Sequence, residues 1–81
     1  MENINSVLLK AKKYLINNSI KSANIDSEIL MCSVLKKNRD HLILNSSDKI
    51  GEEKINIFNE LVERRKKSEP IAYILGKKEF W

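Results

Sequence analysis

Cysteine, proline and histidine each occur once in these 81 residues, and glycine occurs twice. Each shortage closes off a class of chemistry. The lone Cys32 forms no internal disulfide and has no second thiol for a metal cage, which fits a reducing compartment. His41 is the sole imidazole, so no Cys or His partner stands at zinc-ligand spacing. Gly51 and Gly76 are too far apart in the chain to build a glycine-rich strand-to-helix turn around a phosphate or dinucleotide. Long apolar runs are missing too. Lys10, Lys12 and Lys13 interrupt the first apolar cluster, and nothing later is long enough for a signal peptide or a membrane span. A cytoplasmic protein with no membrane partner is expected.

What is present is the composition of a small helical domain. Apolar residues make up 42% and charged residues 32%, with a net charge of +4. A chain of this size buries roughly 60–65% of its unfolded surface, enough to fold but too little to wrap a cofactor pocket. The positive balance suits an acidic partner without requiring one.

Periodicity divides the chain into helices. Ile4, Val7, Leu8, Ala11 and Leu15 recur at spacings of three and four, the stripe of an amphipathic helix over about Asn3–Asn18. Asn17, Asn18 and Ser19 end it, because their side chains compete for backbone hydrogen bonds. A second helix starts near Ser22, whose hydroxyl is expected to cap the first-turn amides. Its broad apolar face, Ile25, Ile29, Leu30, Cys32, Val34 and Leu35, predicts a central, well-buried helix. Asn38 caps a short third helix, about Arg39–Leu44, and Asn45–Gly51 reads as a loop.

A fourth helix spans about Glu52–Lys67. Ile55, Phe58, Leu61 and Val62 form its stripe, with Ile57 beside them. Glu52 and Glu53 open it and Arg64, Arg65, Lys66 and Lys67 close it, matching the helix dipole at both ends. Glu60 with Arg64, and Glu63 with Lys67, are spaced for ion pairs worth ~0.3–0.5 kcal/mol each. Pro70 stops this helix and starts a fifth, Pro70–Leu75, with Gly76 as its expected left-handed cap.

The fold expected is all-α: a small orthogonal bundle of about five helices in residues 1–76, with 77–81 beginning a linker strand. The chain closes on Phe80-Trp81, two large aromatics where domain ends are usually polar. We read that as a boundary just before a second domain. The alternative is that both rings fold back onto the bundle.

The stretch Arg64-Arg65-Lys66-Lys67-Ser68-Glu69-Pro70-Ile71-Ala72-Tyr73-Ile74-Leu75-Gly76-Lys77-Lys78-Glu79-Phe80-Trp81 resembles the end of the N-terminal domain of the release-factor glutamine methyltransferases, the HemK or PrmC family. The family pattern there is R-R, a short spacer, G-E-P, a small apolar helix ending in I-L-G, then E-F. Ile25-Asp26-Ser27-Glu28-Ile29-Leu30 resembles the family's L-D-A-E-L-L on the second helix. Ser68 stands where the family usually has Gly, Ser27 where it usually has Ala, and the Asn45–Gly51 loop is short. The resemblance implies a parent enzyme that moves a methyl group from S-adenosylmethionine to the glutamine of the Gly-Gly-Gln loop of a peptide chain release factor. In the family, a C-terminal Rossmann-like domain holds the methyl donor and an Asn-Pro-Pro-Tyr motif holds the glutamine. The helical domain helps hold the release factor. With one proline and no glycine-rich turn, this chain is expected to bind no methyl donor and to catalyse nothing alone. Its implied partners are a release factor and its own catalytic domain, with a monomer expected.

Within that frame, Arg64, Arg65, Lys66 and Tyr73 are the candidate partner contacts. The competing account of the basic turn is a favourable helix end with solvated charges, Glu69 holding one arginine internally. For Tyr73 the favoured account is core packing. His41 reads as a half-buried packing residue and Cys32 as a small hydrophobe. Asp26 and Glu28, two apart, diverge on a helix, so Asp26 is assigned a first-turn cap or a salt bridge rather than a catalytic role. Two other function classes fit the composition. One is a small basic nucleic-acid-binding helical module, weakened by scattered cations and only five aromatics. The other is a free-standing helical protein that pairs with another subunit.

Overall fold

The computed structural model describes residues 2–76, which form five helices: α1 (Ile4–Asn17), α2 (Ala23–Leu35), α3 (Arg39–Leu44), α4 (Glu52–Lys66) and α5 (Ile71–Leu75). The all-α bundle matches the sequence expectation. The proposed linker segment, 77–81, lies outside the described residues.

α1 sorts its side chains as the periodicity requires. Ile4, Val7, Leu8, Ala11 and Leu15 are its buried residues. Its start solves a general problem, because the first four amides of a helix have no intrahelical acceptor. The Asn3 side chain accepts from the Ser6 amide at 2.8 Å, and the Asn3 carbonyl accepts from Val7. The remaining two amides, Ile4 and Asn5, donate to the carbonyls of Asp48 and Ser46, both at 2.9 Å. Ile50 donates back to the Glu2 carbonyl at 3.1 Å, and Asn3 pairs with Lys49 in an isolated antiparallel bridge. The Asn45–Gly51 loop is therefore strapped to the start of α1, and it places Ile50 in the core. At the other end Asn18 donates its side-chain amide to the Tyr14 carbonyl, and Ser19 turns the chain with φ 67°.

α2 packs against each of the other four helices. It is central, as expected, but its faces differ from the expected ones. Ala23, Asp26, Ser27, Leu30 and Met31 are buried, whereas Ile25 is 60% exposed. The Ser27 hydroxyl donates to the Ala23 carbonyl at 2.7 Å, which satisfies it without a tertiary partner. The cap expected of Ser22 does not form. Its hydroxyl donates instead to the Asp26 carboxylate at 2.6 Å. Lys36 ends the helix in the left-handed region, φ 56°.

α3 is capped as predicted, the Asn38 side chain accepting from the His41 amide at 3.0 Å. His41 is half-buried, and its ring Nδ1 lies 3.2 Å from the Asn45 side-chain amide. α4 buries Phe58 and Val62, half-buries Ile55 and Leu61, and leaves Ile57 exposed. The ion pairs expected along α4 give way to others. Arg64 reaches forward to Glu69 rather than back to Glu60, and Glu63 takes the Tyr14 hydroxyl and Lys66 rather than Lys67. α5 begins one residue later than expected, with Pro70 as its flanking cap. Gly76 has the positive φ anticipated, 78°, but with ψ 134° it is not a left-handed helical cap. That combination strongly disfavours any residue with a Cβ.

Candidate partner-binding site

The basic run closing α4 meets the first turn of α2 and the Ser68–Pro70 turn at one end of the bundle. Arg64 grips the Glu69 carboxylate with two guanidinium nitrogens, Nε at 3.0 Å and the second terminal nitrogen on the other oxygen. This fork-on-fork geometry is the stronger kind of arginine–carboxylate bond. It holds the Glu69 carboxyl below its ordinary value and raises the Arg64 guanidinium, the hydrogen bond being the main cause of both shifts. The remaining Arg64 nitrogen lies 3.5 Å from the Ile74 carbonyl.

Arg65 also reaches Glu69, and it takes a second partner on α2. Its Nε donates to Asp26 at 2.7 Å, and its terminal nitrogen donates to the Glu69 carbonyl at 3.0 Å. Asp26 is 5% exposed and carries the Ser22 hydroxyl on the same oxygen. One guanidinium thus ties the start of α2 to the turn that launches α5. The turn needs that hold, because Ser68 sits at φ 69°, a left-handed conformation that costs a non-glycine residue roughly 1–2 kcal/mol.

Lys66 is half-buried and lies 4.0 Å from Glu63, a loose pair. Tyr73 is 75% exposed. The core packing favoured for this ring is not what the structure has; Ile74 and Leu75 fill the core from α5 instead. An open, shallow hollow beside the ring is lined by Arg64, Glu69, Ala72, Tyr73 and Gly76. Three of the four sequence candidates therefore have intramolecular ionic partners, and Tyr73 alone stands largely free.

The other titratable residues fall into place around this. Asp26 and Glu28 diverge as expected, Glu28 pairing with Arg39 at 2.9 Å and with Lys12 at 3.6 Å. Cys32 is half-buried, and burial pushes its thiol above its ordinary value, away from nucleophilic reactivity. Among the described residues no group of three or more His, Cys, Asp or Glu side chains could hold a metal ion. No helix among them is long and apolar enough to cross a membrane. Gly51 ends a loop and flanks α4, and Gly76 follows α5, so neither opens a strand-to-helix turn of the dinucleotide-binding kind.

Sequence reasoning allowed Asp26 a salt bridge but did not name Arg65 as its partner, although both residues belong to the strings that carried the resemblance. The available signal was Asp26 itself, a carboxylate inside the most apolar of the three long helices.

The family model described as the PrmC N-terminal domain matches residues 6–76. A bifunctional methyltransferase of Rickettsia felis is 41% identical over 78 residues, covering 96% of this chain and 15% of the relative. A release factor glutamine methyltransferase of Buchnera aphidicola subsp. Schizaphis graminum is 42% identical over 79 residues, covering 98% of this chain and 28% of the relative. Another release factor glutamine methyltransferase, from Aliivibrio fischeri, is 43% identical over 60 residues, covering 74% of this chain and 21% of the relative. The chain thus spans between about a seventh and a little over a quarter of the length of these relatives. No solved structure gives a significant match. With a model match running almost the whole length of the five-helix bundle, this chain belongs to the PrmC N-terminal domain family.

Proposed function

We propose that this chain is the release-factor-holding domain of a methyltransferase that modifies peptide chain release factors, and that it does no chemistry itself. The observation carrying this reading is the match over 74–98% of the chain to proteins named as methyltransferases, two of those cited being release factor glutamine methyltransferases. Residues 1–76 form the recognition domain, and 77–81 begin the connection to a catalytic domain that uses S-adenosylmethionine. The protein works in the cytoplasm as a monomer.

Contacts to the release factor come from the α4–α5 end, through Arg64, Arg65, Lys66 and Tyr73. Tyr73 supports this best, as an exposed ring at the rim of a hollow, with a polar tip and an apolar body. Arg64 and Arg65 first build the turn that presents it, and Arg64 keeps part of its guanidinium exposed.

Two measurements test the reading. Removing this domain from a full-length relative should raise KM for the release factor with kcat little changed, the sign of lost uniform binding. An unchanged KM overturns the holding role. Calorimetry of the 81-residue chain with S-adenosylmethionine should show no heat of binding; a saturable isotherm overturns the division of labour.

A further inference from the structure

α3 is six residues long and buries one large side chain, Leu42. The next two, Ile43 and Leu44, are 65% and 81% exposed, and Leu44 is the most exposed of the large hydrophobics described. Paired aliphatics at that exposure contribute little burial to the bundle.

The chain leading into α3 is cationic. Lys36 and Lys37 end α2 on the surface, Lys36 in the left-handed conformation that turns the chain toward α3. Neither lysine takes part in an ion pair among the described residues. Arg39 shares the single Glu28 carboxylate with Lys12, so two cations face one anion. Asp40 is the one carboxylate between positions 36 and 44. It sits in the first turn of α3, where the helix dipole favours it. Arg39 and Ile43 are four apart and fall on the same side of α3. Aliphatic anchors beside unneutralised cations have the make-up of an interface core with a polar rim.

We propose that this α2–α3 corner, built from Lys36, Lys37, Ile43 and Leu44, is a second docking surface, and that its occupant is an acidic protein segment bearing apolar side chains. The proposal rests on the reading that the chain holds a release factor, and places part of that contact away from the α4–α5 end. A nucleic acid is the poorer occupant, because a phosphate backbone makes no use of Ile43 and Leu44.

The test is calorimetric binding of a purified release factor to four versions of the 81-residue chain. These are the unaltered chain, Ile43→Ser with Leu44→Ser, Lys36→Asn with Lys37→Gln, and Ile25→Ser as an exposed aliphatic elsewhere. The substitutions are on the surface, Asn tolerates the left-handed position, and circular dichroism melts confirm that each variant folds. Each double variant is expected to weaken binding roughly ten-fold or more, with Ile25→Ser unchanged. The lysine effect should shrink between roughly 50 and 300 mM salt, and the aliphatic effect should persist. Unchanged affinity in both double variants overturns the corner while leaving the holding role intact. No binding by the unaltered chain overturns both. Binding of a short RNA that is lost in the lysine variant and falls steeply with salt overturns the protein occupant.

Discussion

α1 and α2 are neighbours of similar length, 14 and 13 residues, yet they decide by different rules what to bury. α1 has one buried apolar stripe, and its lysines and most of its asparagines lie outside it beside the exposed Leu9 and Ile16, so solvent does most of the sorting. α2 spreads its apolar residues around the helix instead of gathering them on one face, and such a helix gets little orientation from water. Its rotation is decided by neighbours instead. Arg65 on α4 needs a carboxylate, and Asp26 turns inward to meet it. Ile25, one residue earlier, is carried outward as a consequence. A buried ion pair seldom adds much net stability, but it does penalise any other rotation of the helix, because that would leave a desolvated charge alone.

The comparison can be broken or sharpened by mutation. On α1, Leu15→Ala removes a side chain with no solvent exposure and should cost about 3 kcal/mol in urea unfolding, as large-to-small core changes do. If the loss is under about 1 kcal/mol, α1 is not held by its stripe. On α2, Asp26→Ala leaves the half-buried Arg65 without its anion and should cost about 2–3 kcal/mol. A double-mutant cycle with Arg65→Ala should return a coupling of at least about 1 kcal/mol, and additive losses would show that the pair does not orient the helix. At the turn beyond α4, Ser68→Gly should stabilise by about 0.5–1 kcal/mol, since glycine accepts φ 69° without strain. A lower melting temperature there would mean that the serine side chain contributes something its geometry does not show. The smallest effect belongs to Ile25→Ser, expected within about ±0.5 kcal/mol. A core-sized loss would restore the face that periodicity alone assigns to α2.

Much of the architecture was legible beforehand. Every helix bound that the sequence supplied falls within a residue or two of the observed one, because stripes of three-and-four spacing, Asn38 at a helix start and Pro70 at a helix stop are local signals. The candidate site was legible only in outline. Arg64 and Arg65 were visible as a basic helix end with Glu69 close by, but nothing in the chain pattern says that Arg65 would cross to Asp26, 39 residues earlier. Tyr73 was misassigned to the core because a short apolar helix of five residues has no full period to show which residue faces out. The exposure of Ile43 and Leu44 was hidden for the same reason.

Composition and local pattern were enough to determine that this chain is a small all-helical domain, that Leu15 and Phe58 lie on core-facing stripes, and which family it resembles. Each of those follows from interactions spanning a few residues. Tertiary packing alone decided the rotation of α2, the strap between the Asn45–Gly51 loop and α1, and which cations remain unneutralised. Those outcomes depend on pairs far apart in the chain, whose energies exist only once the helices are side by side.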